Sequence, residues 1–144
     1  MTLSRTLALW SLFACIAGLS ACATAPSASG CDDNDTRPEQ LLGQWRVTLS
    51  GQSDPWTLLL RPHPEHEGSL QGTLMQNPQH FAVVADIEGA ELTMEESHDG
   101  QRIAATWLGT ATEGPCGRQI EGTRQTDAAT SAPTRFRMRS RRQP

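Results

Sequence analysis

The side chains best suited to metal chemistry are two histidines and two glutamates in one short stretch, His63-Pro64-Glu65-His66-Glu67. Imidazole and carboxylate groups bind Zn²⁺, but a structural zinc site needs four ligands, and no cysteine or further histidine is near in sequence. Pro64 also disfavours a helix that would present both imidazoles on one face. The sequence therefore predicts a solvated turn here and no metal site.

Nucleophilic catalysis requires a serine or cysteine beside a base and an orienting acid. The chain has no Gly-x-Ser-x-Gly motif, and its adjacent acids are Asp32-Asp33 in a polar segment and Glu95-Glu96 at the end of a predicted strand. Carboxylates at such positions are usually hydrated. We therefore predict that the protein is not an enzyme and uses no cofactor.

The thiol of Cys22 stands at the end of an N-terminal segment with a different kind of pattern. Arg5 precedes an apolar run over residues 7–19, and the small residues Ser20 and Ala21 follow that run. A run of 13 residues is too short to cross a hydrocarbon core of about 30 Å as a helix. Residues 1–21 are therefore predicted to be a secretory signal.

The sequence Leu19-Ser20-Ala21-Cys22 resembles the lipobox of bacterial lipoproteins. The resemblance implies a diacylglycerol on the Cys22 sulfur, cleavage before this residue, and a further acyl chain such as palmitate on the new amine. In Gram-negative bacteria, Ala rather than Asp at position 23 implies the outer membrane, with the protein facing the periplasm. The alternative is an ordinary signal peptide whose cleavage site happens to lie near Cys22.

Cys31 and Cys116 remain after the signal and the lipidated cysteine are set aside. In an oxidising periplasm they are expected to form a disulfide. In the chain-entropy model such a bond, closing about 85 residues, contributes at most about 4 to 5 kcal/mol. Two free or intermolecular thiols are the alternative.

Composition divides the rest of the chain into a linker and one domain. Residues 23–40 contain no large apolar side chain, so residues 22–40 are predicted to be a flexible, lipid-bearing linker and residues 41–142 the folded domain. The 12 basic and 16 acidic residues give a net charge of −4, which is not typical of a nucleic-acid-binding protein.

Short runs of alternating hydrophobicity, separated by Gly, Pro, Asn and Asp, predict an all-β fold. Eight strands are expected over residues 44–50, 56–61, 69–75, 80–88, 91–95, 102–109, 118–125 and 134–140. The short connections favour antiparallel hairpins in up-and-down order, and pairing the last strand with the first would close a barrel without edges. In the sixth strand, Ile103, Ala105 and Trp107 are expected to point inward.

Gly43-Gln44-Trp45 resembles the Gly-x-Trp signature of the calycins, the lipocalin and avidin-like barrels. That resemblance implies a calycin-like barrel in which an arginine of the last strand, Arg137 or Arg139, packs over Trp45. The same signature also resembles small periplasmic metalloprotease inhibitors of the Inh type. Inhibition of a protease or other hydrolase is therefore the alternative to a binding function.

Two groups of side chains are candidate binding residues. Five aromatic rings are expected to point inward, where they either line a lumen for a small apolar ligand or fill the core: Trp45, Trp56, Phe81, Trp107 and Phe136. Four arginines near the C-terminus are expected to contact an anionic surface or to pair with acids such as Glu121: Arg135, Arg137, Arg139 and Arg141. These observations imply a membrane-anchored, non-catalytic binding module for a small apolar ligand or an envelope partner.

Overall fold

A computed structural model describes residues 36–113, 118–128 and 131–141 of the chain. The predicted signal, the lipobox with Cys22, and both cysteines of the expected disulfide, Cys31 and Cys116, lie outside the described residues. Among the described residues, no helix is long and apolar enough to cross a membrane.

The fold is a closed barrel of eight antiparallel strands in up-and-down order, as the sequence predicts. Every strand pairs with its neighbours in sequence, and β8 pairs with β1 to complete the ring. The strands are β1 Gly43–Leu49, β2 Trp56–Pro62, β3 Leu70–Gln76, β4 Gln79–Glu88, β5 Glu91–Ser97, β6 Ile103–Glu113, β7 Gln119–Thr126 and β8 Thr134–Ser140. This architecture is consistent with a calycin-like barrel.

Burial alternates along the strands, because successive side chains of a strand point to opposite faces of a sheet. In β1, for example, Trp45, Val47 and Leu49 are buried, whereas Arg46 and Thr48 are exposed. The apolar set of each strand therefore converges in one core that fills the barrel from its first strand to its last.

Ile103 departs from this alternation, and its predicted inward position is wrong. Ala105 pairs with Glu96, but Ile103 pairs with Ser97, so β6 contains one extra residue at a register shift. A β-bulge of this kind reverses which side chains face the core beyond it. Ile103 is accordingly 48% exposed.

One end of the barrel is covered by the short helix α1, Pro38–Leu41. The backbone N–H of Thr36 donates to the carbonyl of Gly89 in the β4–β5 turn, and the helix then leads to β1 on the opposite side of the ring. Leu41 is fully buried, and its carbonyl accepts a hydrogen bond of 2.8 Å from Nε1 of Trp45. The ordered structure thus includes residues 36–40, which the sequence assigns to the linker.

Candidate binding sites

A charged cluster lies at the barrel end opposite α1. Glu96 on β5 points inward and is fully buried, and its carboxylate accepts four hydrogen bonds. Nε and Nη2 of Arg124 on β7 donate at 2.9 and 2.8 Å, Nε1 of Trp107 donates at 3.0 Å, and Nε2 of His98 donates at 2.8 Å. All of the carboxylate's hydrogen-bonding capacity is therefore used.

Arg124 is held in place by aromatic rings as well as by Glu96. Its guanidinium carbon lies 5.5 Å from the ring centroid of Trp56 and 5.4 Å from that of Trp107. Such cation–π contacts add to the ion pair where the site is desolvated, and the Arg124 side chain is only 13% exposed. At the rim, His98 stacks on Phe81 with ring centroids 4.3 Å apart.

The chemistry of this cluster is that of a structural ion pair. Burial raises the pKa of Glu96, but the hydrogen bonds from Arg124 and His98, the positive charge of Arg124 and the hydrogen bond from Trp107 outweigh it, so the pKa lies below its ordinary value. A carboxylate with a lowered pKa and no unoccupied lone pair is a poor general base. The cluster closes the apolar core at this end.

The interpretation of Glu96 as a hydrated acid at a strand end is wrong. Strand β5 continues to Ser97, so Glu96 follows Leu92 and Met94 on the inward face, and of the two adjacent acids only Glu95 is exposed. Arg124 likewise follows Ile120 and Gly122 on the inward face of β7. The alternation of inward and outward positions could have revealed both residues. Continued two residues past the last apolar position of each strand, it places Glu96 and Arg124 inside the barrel.

The five aromatic residues expected either to line a lumen or to fill the core all lie in the buried core. Trp107 is central, with its ring centroid 6.2 Å from Trp56 and 5.0 Å from Phe136, both in edge-to-face geometry, and Phe81 lies 6.4 Å from Trp56. Edge-to-face pairs at these separations contribute about 0.5 to 1.5 kcal/mol beyond their buried area. The rings therefore pack against one another.

Three glycines of the strands are sites of close approach between neighbouring parts of the barrel. A Cβ on Gly122 would lie 1.9 Å from the carbonyl oxygen of Leu108, and one on Gly72 would lie 2.2 Å from that of Leu59. Around Gly109, the side chains of Ile120 and Phe136 already occupy the space that a Cβ would need. Neighbouring strands and side chains thus fill the volume beside these residues.

The outside of the barrel carries four arginines that we call the arginine face: Arg46 on β1 and Arg135, Arg137 and Arg139 on β8. Arg46 and Arg139 lie directly opposite each other across the β1–β8 pair. Like charges placed opposite each other in a sheet are destabilising. Glu121 is the acid on the outward positions of β7, β8 and β1, and it pairs with Arg137.

Two further polar contacts define this face. Nε of Arg139 donates to Oε1 of Gln119, a largely buried amide on β7. Arg135 and Arg46 have no acidic side chain within 4 Å among the residues that the structure describes. Arg141 lies just beyond β8, where its backbone N–H donates to the carbonyl of Gln44. The predicted pairing of these arginines with acids therefore holds for Arg137.

A groove with a volume of about 710 Å³ runs across the outer surface beside the arginine face. One row of paired residues crosses it from strand to strand: Thr48 on β1, Arg137 on β8, Glu121 on β7 and Thr110 on β6. The lining is rich in hydroxyl groups and consists of Thr48, Leu49, Ser50, Thr110, Thr112, Glu121, Gly122, Thr123, Arg135, Phe136 and Arg137. The groove thus combines two cations, one acid and five hydroxyl groups.

Two other expectations can be compared with the structure. His63 lies in the β2–β3 turn, where its Nδ1 accepts hydrogen bonds from the backbone N–H groups of Glu65 and His66. No group of three or more metal-ligating side chains occurs in the described part of the chain.

Arg137 and Arg139 are exposed, whereas Trp45 points into the core, so neither arginine packs over the Trp45 ring as the calycin resemblance implied. Arg124 on β7 packs over Trp56 and Trp107 instead.

No protein-family model matches this chain, and a search of curated proteins likewise gives no match.

Proposed function

We propose that this chain is a lipid-anchored protein of the outer membrane, and that its barrel is a non-catalytic binding module facing the periplasm. The lipobox motif Leu19-Ser20-Ala21-Cys22 supports the anchor, and Ala23 supports the outer membrane as its location. Several acyl chains on one residue give lasting attachment, because a single chain holds a protein at a membrane only marginally.

The partner is an anionic component of the envelope, and it binds on the outside of the barrel at the arginine face. One observation carries this proposal: four arginines share this face, and two of them, Arg46 and Arg135, have no acidic side chain within 4 Å among the described residues, on a protein whose net charge is −4. Like charges gathered on one face repel one another. An anionic partner would relieve that repulsion, and arginine can bind carboxylates and phosphates through two parallel hydrogen bonds.

The anchor is tested by mass spectrometry of the mature N-terminus. We expect Cys22 to carry a diacylglyceryl group and an amide-linked acyl chain, and we expect the Cys22→Ser variant to leave the membrane fraction. An unmodified Cys22, or cleavage at another position, would overturn the anchor.

The binding surface is tested with the Cys22→Ser chain and isolated cell envelopes, so that lipid does not contribute to sedimentation. We expect the chain to sediment with the envelopes and to be released by salt, since salt screens exposed charges. The double variant Arg135→Gln/Arg139→Gln should remain in the supernatant. Arg37→Gln/Arg61→Gln removes the same charge from exposed positions away from the face and should sediment normally.

Two results would overturn the surface proposal. The first is equal sedimentation of both double variants. The second is a saturable shift of tryptophan fluorescence with apolar ligands, which would favour a ligand inside the barrel. Stoichiometric inhibition of a hydrolase by the chain, unaffected by the arginine substitutions, would support the alternative function instead.

A further inference from the structure

We infer that the groove beside the arginine face binds an acidic glycan, a chain of sugar units that carries carboxylate groups. The inference rests on the proposed function, because it names the chemical class of the anionic partner. It is drawn from the groups that surround the arginines.

Hydroxyl groups flank Arg135, one of the two cations of the groove. Arg135 lies directly opposite Thr123 on β7, and its carbonyl accepts a hydrogen bond of 2.9 Å from the backbone N–H of Ser50. The side chains of Ser50 and Thr123 are exposed, and their hydroxyls have no hydrogen-bond partner within the described ranges of the chain. Each hydroxyl can donate and accept one bond to a sugar hydroxyl while Arg135 binds a carboxylate.

The ion pair of Arg137 and Glu121 offers a donor and an acceptor at adjacent points. Oε1 of Glu121 accepts from Nε of Arg137 and, at 3.1 Å, from Nε2 of Gln119. Its second oxygen accepts no hydrogen bond from any described residue, and the guanidinium keeps further N–H groups. A sugar hydroxyl can donate to that oxygen. A fully ionised phosphate has no proton to donate to it.

The shape of the groove also suits a short oligosaccharide. Its lining spans four strands, and neighbouring strands lie about 4.8 Å apart, so the row from Thr48 to Thr110 is about 14 Å long. The volume of about 710 Å³ is within the usual range for ligand clefts, roughly 300 to 1,000 Å³. A chain laid across the four strands would meet Thr48, Arg137, Glu121 and Thr110 in turn.

The test measures binding of the Cys22→Ser chain to four soluble probes by calorimetry: oligogalacturonate, poly-glutamate, dextran and inorganic polyphosphate. Oligogalacturonate carries both carboxylates and sugar hydroxyls, whereas poly-glutamate lacks the sugar hydroxyls, dextran lacks the carboxylates and polyphosphate lacks both. We expect the tightest binding to oligogalacturonate. Arg135→Gln should abolish it, and Arg61→Gln, an exposed position on β2 outside the groove, should leave it unchanged.

Thr123→Val separates glycan recognition from simple charge attraction, because it replaces a hydroxyl by a methyl group of similar size. One lost hydrogen bond of about 1 kcal/mol should weaken oligogalacturonate binding about fivefold. Binding to poly-glutamate and polyphosphate should not change. Circular dichroism of each variant checks that the barrel is intact.

Equal binding of all three polyanions, with no effect of Thr123→Val, would overturn the glycan inference and leave an anionic partner in place. Binding to none of the probes would also overturn the glycan inference. The proposed function would then depend on the envelope sedimentation result alone. Binding to dextran as tight as binding to oligogalacturonate would also overturn the inference, because the carboxylates would then contribute nothing.

Discussion

Arg124 and Glu96 form a two-point ion pair across the interior of the barrel, with Nε and Nη2 donating to opposite carboxylate oxygens at 2.9 and 2.8 Å. The pair belongs to strands that are not neighbours, since β6 lies between β5 and β7. It therefore links three strands at the end that α1 does not cover, and it positions Arg124 above Trp56 and Trp107.

Removing one partner of this pair should destabilise the barrel strongly. Arg124→Met leaves the Glu96 carboxylate buried without its counter-charge, and breaking a buried pair in this way costs about 3 to 5 kcal/mol. Replacing both residues, as in Glu96→Leu/Arg124→Met, should recover most of that loss, because no unpaired charge remains. Urea unfolding measures both free energies.

Arg102→Met is the matched control for this experiment. Arg102 pairs with Asp99 on the surface, where the Arg102 side chain is 89% exposed, and surface pairs contribute at most about 1 kcal/mol. If Arg124→Met were no more damaging than Arg102→Met, the buried pair would have no special role in stability. A double variant as unstable as Arg124→Met would show that apolar side chains cannot fill the site.

Stability should fall in acid, in part because of Glu96. Its pKa lies below the ordinary value in the folded state, where His98 and Arg124 are the titratable groups that face it. The folded state therefore binds the proton less readily than the unfolded chain, whose glutamate pKa is about 4.3. The contribution is complete above about pH 5.5 and is lost as pH falls through the folded-state pKa.

Melting temperatures from pH 7 to pH 3 measure this effect. Glu96→Gln should lower the melting temperature at pH 7 and flatten the decline in acid relative to the original chain. Asp99 also has a pKa well below its usual range, because the backbone N–H groups of Arg102 and Gln101 donate to it. Some decline should therefore persist. Parallel curves for the two proteins would contradict the assignment to Glu96.

The alternation of apolar residues was sufficient to predict the eight strands and their order. Each strand buries one face, and the short connections between strands allow little besides hairpins. The same rule misplaced Ile103, because a bulge adds one residue to β6 and reverses its face. A bulge depends on how two strands fit together, and neither strand indicates it alone.

The candidate sites were less predictable from the sequence, for two physical reasons. A charged residue at an inward position interrupts the apolar pattern, so the strand is predicted to end before it unless its partner is known. The partner of Glu96 is Arg124, which lies on a strand two places away in the sheet, with β6 between them. The groove depends on the register that brings Thr48, Arg137 and Glu121 into one row. The sequence could name the arginines of β8 but could not place Arg46 beside them.

Thr126 provides a prediction of increased stability. Its hydroxyl oxygen is buried, and no described residue forms a hydrogen bond with it. A buried polar atom without a partner costs about 1 to 3 kcal/mol relative to one that is satisfied. Thr126→Val removes the hydroxyl at nearly constant volume, so we expect the free energy of unfolding to rise by about 1 kcal/mol.

Thr93→Val, at an exposed position on β5, is the control for this substitution, since it makes the same chemical change in water. It should change stability by no more than about 0.5 kcal/mol. A loss of stability in Thr126→Val larger than that would mean that the hydroxyl has a hydrogen-bond partner in solution, such as an ordered water molecule.

The contact between β6 and β7 at Gly122 should be the least tolerant of added volume in the sheet. A Cβ on Gly122 would lie 1.9 Å from the Leu108 carbonyl oxygen and 2.5 Å from the Gly109 Cα, which are backbone atoms fixed by strand pairing. A Cβ on Gly109 would instead lie 2.8 Å from side-chain atoms of Ile120 and Phe136, which can adjust. Overpacking of side chains costs about 1 to 3 kcal/mol, so Gly109→Ala should unfold at a lower urea concentration but remain folded in water.

Gly122→Ala must separate the two strands, so we expect a larger loss of stability or failure to fold. Urea unfolding and circular dichroism measure both outcomes. Equal stability of the two variants would mean that β6 and β7 are farther apart at Gly122 than this structure has them.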